Sequence, residues 1–251
     1  MIEVLLIRAE NPGPFTLSGT NTWVVGREPA WVVDPGPALE DHVEAVARAV
    51  AARGGAGGIA VTHDHPDHVE AVPALAERLG RPPVGAAGFA GADVRLAGGD
   101  VFGPLEAMAV PGHAPDHLAF LAGPICFSGD AVLGEGSVFI APGPGAMAGY
   151  LAALERLRGL GLARICPGHG PEVADPEAKL GEYLAHRRDR ERRLIAALGA
   201  GARSEAELLD AVWSDVPEGL RGAAAITLAA HLGKLDEERA LPPGVERRAP
   251  R

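Results

Sequence analysis

The chain has 251 residues and a formal net charge of −10, and 47% of its residues are hydrophobic and 22% charged. This composition excludes a chain that is disordered throughout, and the length allows one large α/β domain with a small appendage. No stretch reaches the roughly 20 apolar residues of a membrane-spanning helix, and residues 1–7 lack the features of a signal peptide. We therefore expect a cytoplasmic protein with no membrane contact.

The two cysteines, Cys126 and Cys166, lie in apolar runs typical of buried strands. Two cysteines make neither a disulfide scaffold nor a thiolate zinc site, so we interpret them as packing residues. The acidic balance disfavours a broad phosphate-binding surface, although a local basic patch could still bind nucleic acid.

Strands and helices alternate in the first part of the chain. Apolar patterning predicts, in order, strands at Val4–Ile7, Thr22–Val25 and Trp31–Val33, a helix at Leu39–Arg53, a strand at Ile59–Val61 and a helix at Val69–Leu79. This alternation indicates a layered α/β architecture. Asp34 follows the third strand, where a carboxylate either braces a neighbouring site or satisfies the amides of a turn.

The section that follows is richer in strands. Short apolar runs separated by Gly, Pro and Asp predict a second, largely antiparallel sheet from Val94–Leu96, Leu105–Val110, Leu118–Leu121 and Ile125–Phe127. A helix from about Ala146 to Arg158 and a strand at Arg164–Cys166 come next.

Three helices are predicted in the last part of the chain, at Pro176–Leu198, Glu205–Trp213 and Arg221–Arg239. Ser204 is a good N-cap for the second of these, with Glu207 completing a capping box. Leu241–Val245 could form a small hairpin or wing. The three helices with such a wing indicate a winged-helix-like tail.

Histidine and aspartate collect in loops that directly follow predicted strands. His63-Asp64-His65-Pro66-Asp67-His68 follows one strand, and three further loops place a His or Asp at the end of a strand, at His113, Asp130 and His169. Zinc binds imidazole and carboxylate ligands. His-x-His alone often occurs by chance in a solvated turn, but the run H-x-H-x-D-H with three further strand-end ligands makes coincidence a poor explanation.

These residues divide into two sets of ligands. His63, His65 and His113 can bind one ion, while Asp67, His68 and His169 can bind a second and Asp130 can bridge the pair. Two ions about 3.5–4 Å apart can hold a hydroxide between them at neutral pH. Iron or manganese could replace the two Zn²⁺ in the same His/Asp site.

These seven residues make the chain resemble the metallo-β-lactamase-fold hydrolases, whose pattern is H-x-H-x-D-H followed by His, Asp and His. The match runs from Asn21-Thr22 to Pro167-Gly168-His169. This resemblance implies an α/β fold in which a four-layer αββα sandwich holds two metals between the sheet edges. It predicts a catalytic domain at residues 1–175 and a helical, winged-helix-like C-terminal domain at residues 176–251.

The chain is also similar to the β-lactamase-like subgroup that includes the animal mitochondrial single-strand endoribonuclease. The features that carry this similarity include Gly19-Thr20-Asn21-Thr22, Pro111-Gly112-His113, Ser128-Gly129-Asp130 and His186-Arg187-Arg188. Val69-Glu70 departs from the glycines that many relatives have after the H-x-H-x-D-H run.

The resemblance implies a binuclear metal-dependent hydrolase in which a metal-bridging hydroxide attacks a phosphodiester or an acyl carbon, with Asp67 both a ligand and the carboxylate that steers the hydroxide. It favours single-stranded RNA as the substrate. The alternative is a glyoxalase-II-like thioesterase or a lactonase or esterase with a small acyl substrate. A second alternative is a non-catalytic regulator whose tail binds nucleic acid.

Other charged residues allow two interpretations each. The Arg187–Arg193 cluster could pair with phosphates, but Asp189 and Glu191 interleave with the arginines, which favours a solvated helix face. The tail could equally cap a pocket or form a homodimer interface. His117 could orient a metal-binding imidazole or be a satisfied loop histidine, and His42 and His231 are interpreted as surface or packing residues.

Overall fold

The computed structural model describes residues 2–247, and its strands form two sheets. In the first sheet the spatial order equals the chain order: β1 (Val4–Arg8), β2 (Asn21–Val25), β3 (Ala30–Val33), β4 (Ala56–Ala60), β5 (Val84–Ala86) and β6 (Val94–Arg95). Strands β3 to β6 run parallel to one another. Because parallel strands end at the same edge, the loop that follows β4, with His63 to His68, lies beside Asp34 after β3.

The second sheet has the spatial order β11 (Arg164–Pro167), β10 (Ile125–Gly129), β9 (Leu118–Ala122), β8 (Leu105–Ala109) and β7 (Val101–Phe102). It is antiparallel except for the parallel pair β10 and β11. Asp130 and His169 follow these two parallel strands and therefore come out at the same edge. The predicted second, largely antiparallel sheet is confirmed.

In the described part of the chain, seven α-helices cover and extend the sheets: α1 (Glu40–Ala51), α2 (Pro66–Val69), α3 (Val72–Arg78), α4 (Ala146–Arg158), α5 (Pro176–Gly199), α6 (Glu205–Val212) and α7 (Arg221–Glu237). Helices α1 and α3 bury Val46 and Leu75 against the first sheet. Helices α4 and α5 bury Leu154 and Tyr183 against the second. Phe120 and the other apolar residues between the sheets form a further cluster, so the four-layer αββα sandwich is confirmed.

Two element predictions in the sandwich need correction, and two of its strands were missed. Val94–Arg95 belongs to the first sheet, because it pairs parallel with β5, a strand that the sequence pattern did not reveal. The two-residue strand β7 was also missed, since it is too short to show alternation. The helix expected at Val69–Leu79 is divided: α2 begins at Pro66, inside the histidine loop, and α3 begins at Val72.

The helices α6 and α7 and the end of α5 share their own apolar cluster, which includes Leu194, Leu208, Trp213 and Leu228. The predicted capping box of Ser204 and Glu207 is formed. The small hairpin or wing considered for Leu241–Val245 has no strands within the described residues: a turn lies at Pro243 and Gly244, and Leu241 and Val245 pack against the helices. The winged-helix-like tail stays a prediction. The division into residues 1–175 and 176–251 stays a prediction. Within residues 2–247, no helix is both long and apolar enough to cross a membrane.

Candidate metal centre

The loops that follow β4, β8, β10 and β11 bring seven His and Asp side chains to one edge of the two sheets. They form three overlapping groups whose nitrogen and oxygen atoms lie within 4.8 Å of one another: His63, His65 and His113; His63, His68 and Asp130; and Asp67, His68 and His169. These are the residues that the sequence pattern selected as metal ligands.

The two ligand sets lie side by side. His65 Nδ1 is 3.0 Å from His63 Nε2 and 2.9 Å from His113 Nε2. In the other set, Asp67 Oδ2 is 3.3 Å from His169 Nε2 and 3.5 Å from His68 Nε2.

Asp130 lies between the two sets. Its Oδ2 is 3.5 Å from His113 Nε2 and 3.4 Å from His169 Nε2, and its Oδ1 is 3.5 Å from His68 Nε2. This carboxylate therefore contacts both sets, as the position of a bridging ligand requires.

Residues outside the cluster hold these candidate ligands in place. Asp34 accepts hydrogen bonds from the backbone N–H and the hydroxyl of Thr62, each at 2.8 Å, and its Oδ2 lies 2.9 Å from His68 Nδ1. The carboxylate thus braces the neighbouring site rather than a local turn. Thr62, which the sequence analysis overlooked, also lies 2.9 Å from His63 Nδ1 through its hydroxyl.

Residues at and just before the start of β2 hold the loops that carry Asp67 and His169. Thr20 donates from its hydroxyl to Asp67 Oδ2 at 3.0 Å, and Asn21 donates from its amide to the carbonyls of Pro167 and Gly170, on either side of His169. Thr20 and Asn21 were recognised only as part of a motif. Their position at the start of strand β2 is the signal that could have assigned them this role.

His117 supports the cluster without joining a ligand group. Its Nε2 accepts the backbone N–H of Asp130 at 3.1 Å, and its ring stacks on His63 with 4.6 Å between centroids and an interplanar angle of 19°. The interpretation as a residue that orients the ligands is therefore favoured. His42 and His231 are buried packing residues, and Cys126 and Cys166 are buried and free, as expected.

The buried donor set fits divalent metal. His68 Nε2 and Asp130 Oδ1 are buried and have no hydrogen-bond partner within the described chain, while the other nitrogen of His68 is held by Asp34. Gly168 packs so closely that a Cβ there would come within 2.8 Å of the His68 ring and overlap Asp130. A buried imidazole nitrogen and a buried carboxylate oxygen that lie 3.5 Å apart without other partners among residues 2–247 are the arrangement that a metal ion would satisfy.

The pKa values of these side chains also fit a site that binds a cation. Burial and the neighbouring His68 hold the pKa of His63 well below its usual range, and burial lowers the pKa of His113 to about 4, so both imidazoles are neutral. Burial alone would lower the pKa of His68, but Asp34 and Asp130 raise it to about 9. Despite burial, contacts with His169 and His68 lower the pKa of Asp67 to about 2. The site thus combines the neutral imidazoles of His63 and His113 with carboxylates whose negative charge raises the pKa of His68, and this charge favours a bound cation.

A cavity of about 580 Å³ opens over the cluster. His65, Asp67, His113, Asp130 and His169 form one end of it. Most of its wall is apolar and includes Phe15, Leu133, Val138, Phe139, Trp213, Leu220 and Ala224. The cavity therefore joins the metal centre to helices α5 and α7.

The Arg187–Arg193 cluster is not a uniformly solvated helix face, and that prediction is wrong for two of its members. Arg187 and Arg190 are buried, with exposures of 2% and 5%, and both line the cavity. Arg188 and Arg192 are exposed and pair with Glu155 and Asp189. Interleaved acidic residues concealed this division, because the sequence does not show which arginines face outward.

Comparisons with known proteins agree with this geometry. A family profile described as the metallo-beta-lactamase superfamily matches residues 89–169. A "Beta-lactamase-like protein 2 homolog" of Caenorhabditis elegans is 30% identical over 254 residues, which cover 92% of this chain and 83% of that protein. The "Atrochrysone carboxyl ACP thioesterase" of Aspergillus chevalieri is 32% identical over 237 residues, covering 86% of this chain and 75% of that protein.

A solved structure has the same fold. It is the metallo-beta-lactamase family protein TTHA1429 from Thermus thermophilus, with a TM-score of 0.75 and 23% identity. The superposition covers 98% of this chain and 96% of that one. Both the sandwich and the helices that follow it therefore have a counterpart in that protein.

Proposed function

The chain belongs to the metallo-beta-lactamase superfamily and is a metal-dependent hydrolase, and we propose that it hydrolyses the thioester or ester bond of a small acyl substrate. The observation that carries the proposal is the cavity that ends on the candidate ligands. Its volume of about 580 Å³ lies within the range of small-molecule sites, and its apolar wall suits an acyl chain. The relative named as an acyl carrier protein thioesterase supports this substrate class.

Two divalent ions fit the donor set, and zinc is the ion we propose, with iron or manganese as the alternatives. His63, His65 and His113 would hold one ion, Asp67, His68 and His169 the other, and Asp130 would contact both. When bound, the ions supply a water molecule activated at neutral pH and positive charge for the developing oxyanion.

The chain's own residues position the reacting groups. Asp67, which we propose as the catalytic carboxylate, is fixed by the hydroxyl of Thr20 at 3.0 Å. Because its Oδ2 already accepts this hydrogen bond and Asp67 lines the cavity, the carboxylate can hold a water molecule in one orientation. The apolar wall formed by Phe139 and Leu133 excludes other water from the acyl chain.

Single-stranded RNA, the substrate first expected from the resemblance, stays a prediction. A groove that binds single strands needs accessible cations along the path of the backbone. On α5 the exposed Arg188 and Arg192 already pair with carboxylates, and Arg187 and Arg190 lie inside the cavity. These contacts favour the small acyl substrate over RNA, and the hydrolase family disfavours a non-catalytic regulator.

A direct comparison of substrates tests the proposal. Purified protein is assayed with S-lactoylglutathione, with acyl thioesters of N-acetylcysteamine of increasing length, and with labelled single-stranded RNA. We expect thioester hydrolysis that Asp67→Asn abolishes and that the exposed control Asp64→Asn retains. RNA cleavage that depends on Asp67, without any thioester hydrolysis, would overturn the proposal.

A further inference from the structure

Among residues 2–247, Arg187 is a buried cation with no charged partner. Its side chain is 2% exposed, and it takes part in none of the salt bridges formed within residues 2–247. One terminal nitrogen donates to the carbonyl of Val138, the guanidinium lies 5.7 Å from the centre of the Tyr150 ring, and Nε has no hydrogen-bond partner. Arginine keeps its charge in proteins, and buried charges are nearly always paired.

Arg190, one turn further along the same helix, shows how the chain satisfies a buried arginine. Both of its terminal nitrogens donate to the carboxylate of Asp215 at 2.7 Å, and its Nε lies 3.2 Å from His186 Nε2. The two arginines line the same cavity. Of this pair only Arg187 lacks a paired carboxylate in the described part of the chain. The missing partner is therefore a property of position 187 and not of buried arginines on this helix in general.

No neighbouring group of the described chain neutralises Arg187. Glu191, the next acidic residue on its face of α5, is occupied by Lys234 at 2.7 Å and His231 at 3.5 Å. The hydroxyl of Tyr150 donates to Ala131, and burial raises the pKa of this phenol to about 12, so it stays neutral. The carboxylates of Glu135 and Glu182 lie at exposed positions of the cavity wall.

We propose that Arg187 binds an anionic oxygen of the substrate, a carboxylate or a phosphate, inside the cavity whose other end is the metal centre. This inference rests on the proposed function and deepens it: the substrate is an acyl thioester or ester that carries an anionic group apart from the bond that is cleaved. A guanidinium pairs with either anion through parallel hydrogen bonds. The unpartnered Nε supplies one of the donors needed for such a pair.

Matched substrates separate the two anions. The neutral reference is butyryl-N-acetylcysteamine. Succinyl-N-acetylcysteamine adds a carboxylate to the acyl group, and butyryl-4′-phosphopantetheine adds a phosphate to the thiol. We expect kcat/KM for one of the anionic substrates to exceed that of the reference by about tenfold or more, as a charge-assisted hydrogen bond in a buried site provides.

The variants keep a long side chain at position 187 and either remove or retain its positive charge. Arg187→Met should lower the ratio of kcat/KM for the anionic substrate to kcat/KM for the neutral one to about one, and Arg187→Lys should restore part of this ratio. Arg188→Met, which removes an outward-facing arginine from the same helix, serves as the control. Should Arg187→Met fail to fold, the comparison of Arg187→Lys with the wild type decides.

Binding is measured separately with amide analogues that cannot be cleaved, by titration calorimetry. Tight binding of the anionic amide that Arg187→Met weakens about tenfold or more supports the inference even if no thioester is hydrolysed, in which case the proposed function alone has failed. Equal affinity of wild type and Arg187→Met for charged and neutral amides would overturn the inference. Thioester hydrolysis could still stand in that case.

Discussion

Oδ2 of Asp34 lies 2.9 Å from Nδ1 of His68, and this contact leaves the other ring nitrogen of His68 facing Asp67 and Asp130 at 3.5 Å. The Asp34 carboxylate is 1% exposed and also accepts two hydrogen bonds from Thr62. One acidic residue therefore orients ligands from a loop on the neighbouring strand. Such supporting contacts fix which nitrogen of a histidine is free to bind metal.

Asp34→Asn is expected to weaken metal binding about 10- to 100-fold and to lower the free energy of unfolding by about 2 kcal/mol, because an amide cannot accept all three hydrogen bonds. The backbone tolerates the change, since Asp34 has a φ of +52° and asparagine adopts this conformation readily. Chelator competition and urea unfolding provide the measurements. Asp64→Asn, at an exposed position of the neighbouring histidine loop, should match the wild type, and equal metal affinity in both variants would show that Asp34 has no orienting role.

His117→Phe should keep the ring that stacks on His63 but remove the acceptor for the backbone N–H of Asp130. An unpaired buried N–H costs about 1–3 kcal/mol, and the displaced carboxylate should lower activity. His117→Gln retains an acceptor and should recover part of both losses. Thermal unfolding and thioester assays check this; an active, stable phenylalanine variant would mean that the hydrogen bond is dispensable.

The sequence was most informative where chemistry and local pattern coincide. All seven proposed ligands could be chosen because each follows closely after an apolar run, and strands that run in the same direction bring such ends to one edge of the sheets. Asp34 could be singled out for the same reason. Whether Asp34 braces a site or closes a turn depends on which strand lies beside β3, and the sequence does not specify that pairing.

Long-range pairing explains what the sequence could not predict. Val94–Arg95 was assigned to the wrong sheet because its partner, β5, is only three residues long. Arg187 and Arg190 looked like part of a solvated face, since their burial results from Val138, Tyr150 and Trp213, which lie far away in the chain. The cavity combines segments from residues 14–17, 133–139 and the last helices, and no local pattern encodes its volume.

Glu191 makes the stability of the helical tail dependent on pH. Its contact with His231, and the hydrogen bond from Lys234 at 2.7 Å, lower its pKa to about 2 from the ordinary value of 4.5. A carboxylate whose pKa is lower in the folded protein than in the unfolded chain contributes its full stabilisation at a pH above the unfolded-state pKa. This contribution is lost as the pH falls toward the folded-state pKa. The contribution is therefore present above pH 4.5 and disappears as the pH approaches 2.

Glu191→Gln should accordingly cost about 1 kcal/mol at pH 7, a figure reduced for the solvent screening of this partly exposed carboxylate, and much less near pH ~2.5. Urea unfolding is followed by tryptophan fluorescence in a Trp23→Phe and Trp31→Phe background, in which the signal comes from Trp213, whose ring centre lies 6.1 Å from that of His231. Glu238→Gln removes a more exposed partner of the same lysine and serves as the control. A cost that does not change with pH would contradict the assignment.

Metal removal should abolish hydrolysis and lower the thermal unfolding temperature, because His68, Asp67 and Asp130 would then face one another without the cation that their arrangement fits. Restoring zinc should recover both properties, and metal analysis of the restored protein should give about two ions per chain. Asp67→Asn should bind less metal than Asp64→Asn. Hydrolysis that survives complete chelation would refute the metal-dependent mechanism.

Ala224 lies on α7 in the wall of the cavity and is 6% exposed. Ala224→Phe places a ring in the space assigned to the acyl chain, so the KM for a dodecanoyl thioester should rise about tenfold or more while that for an acetyl thioester stays within about threefold. Gly222→Ala, two positions earlier in the same helix, has no heavy atom within 4 Å of the added methyl and should change neither value. Thermal unfolding of both variants separates a blocked cavity from a damaged fold. If the phenylalanine affected short and long substrates equally in a stable protein, the acyl chain would have to bind elsewhere.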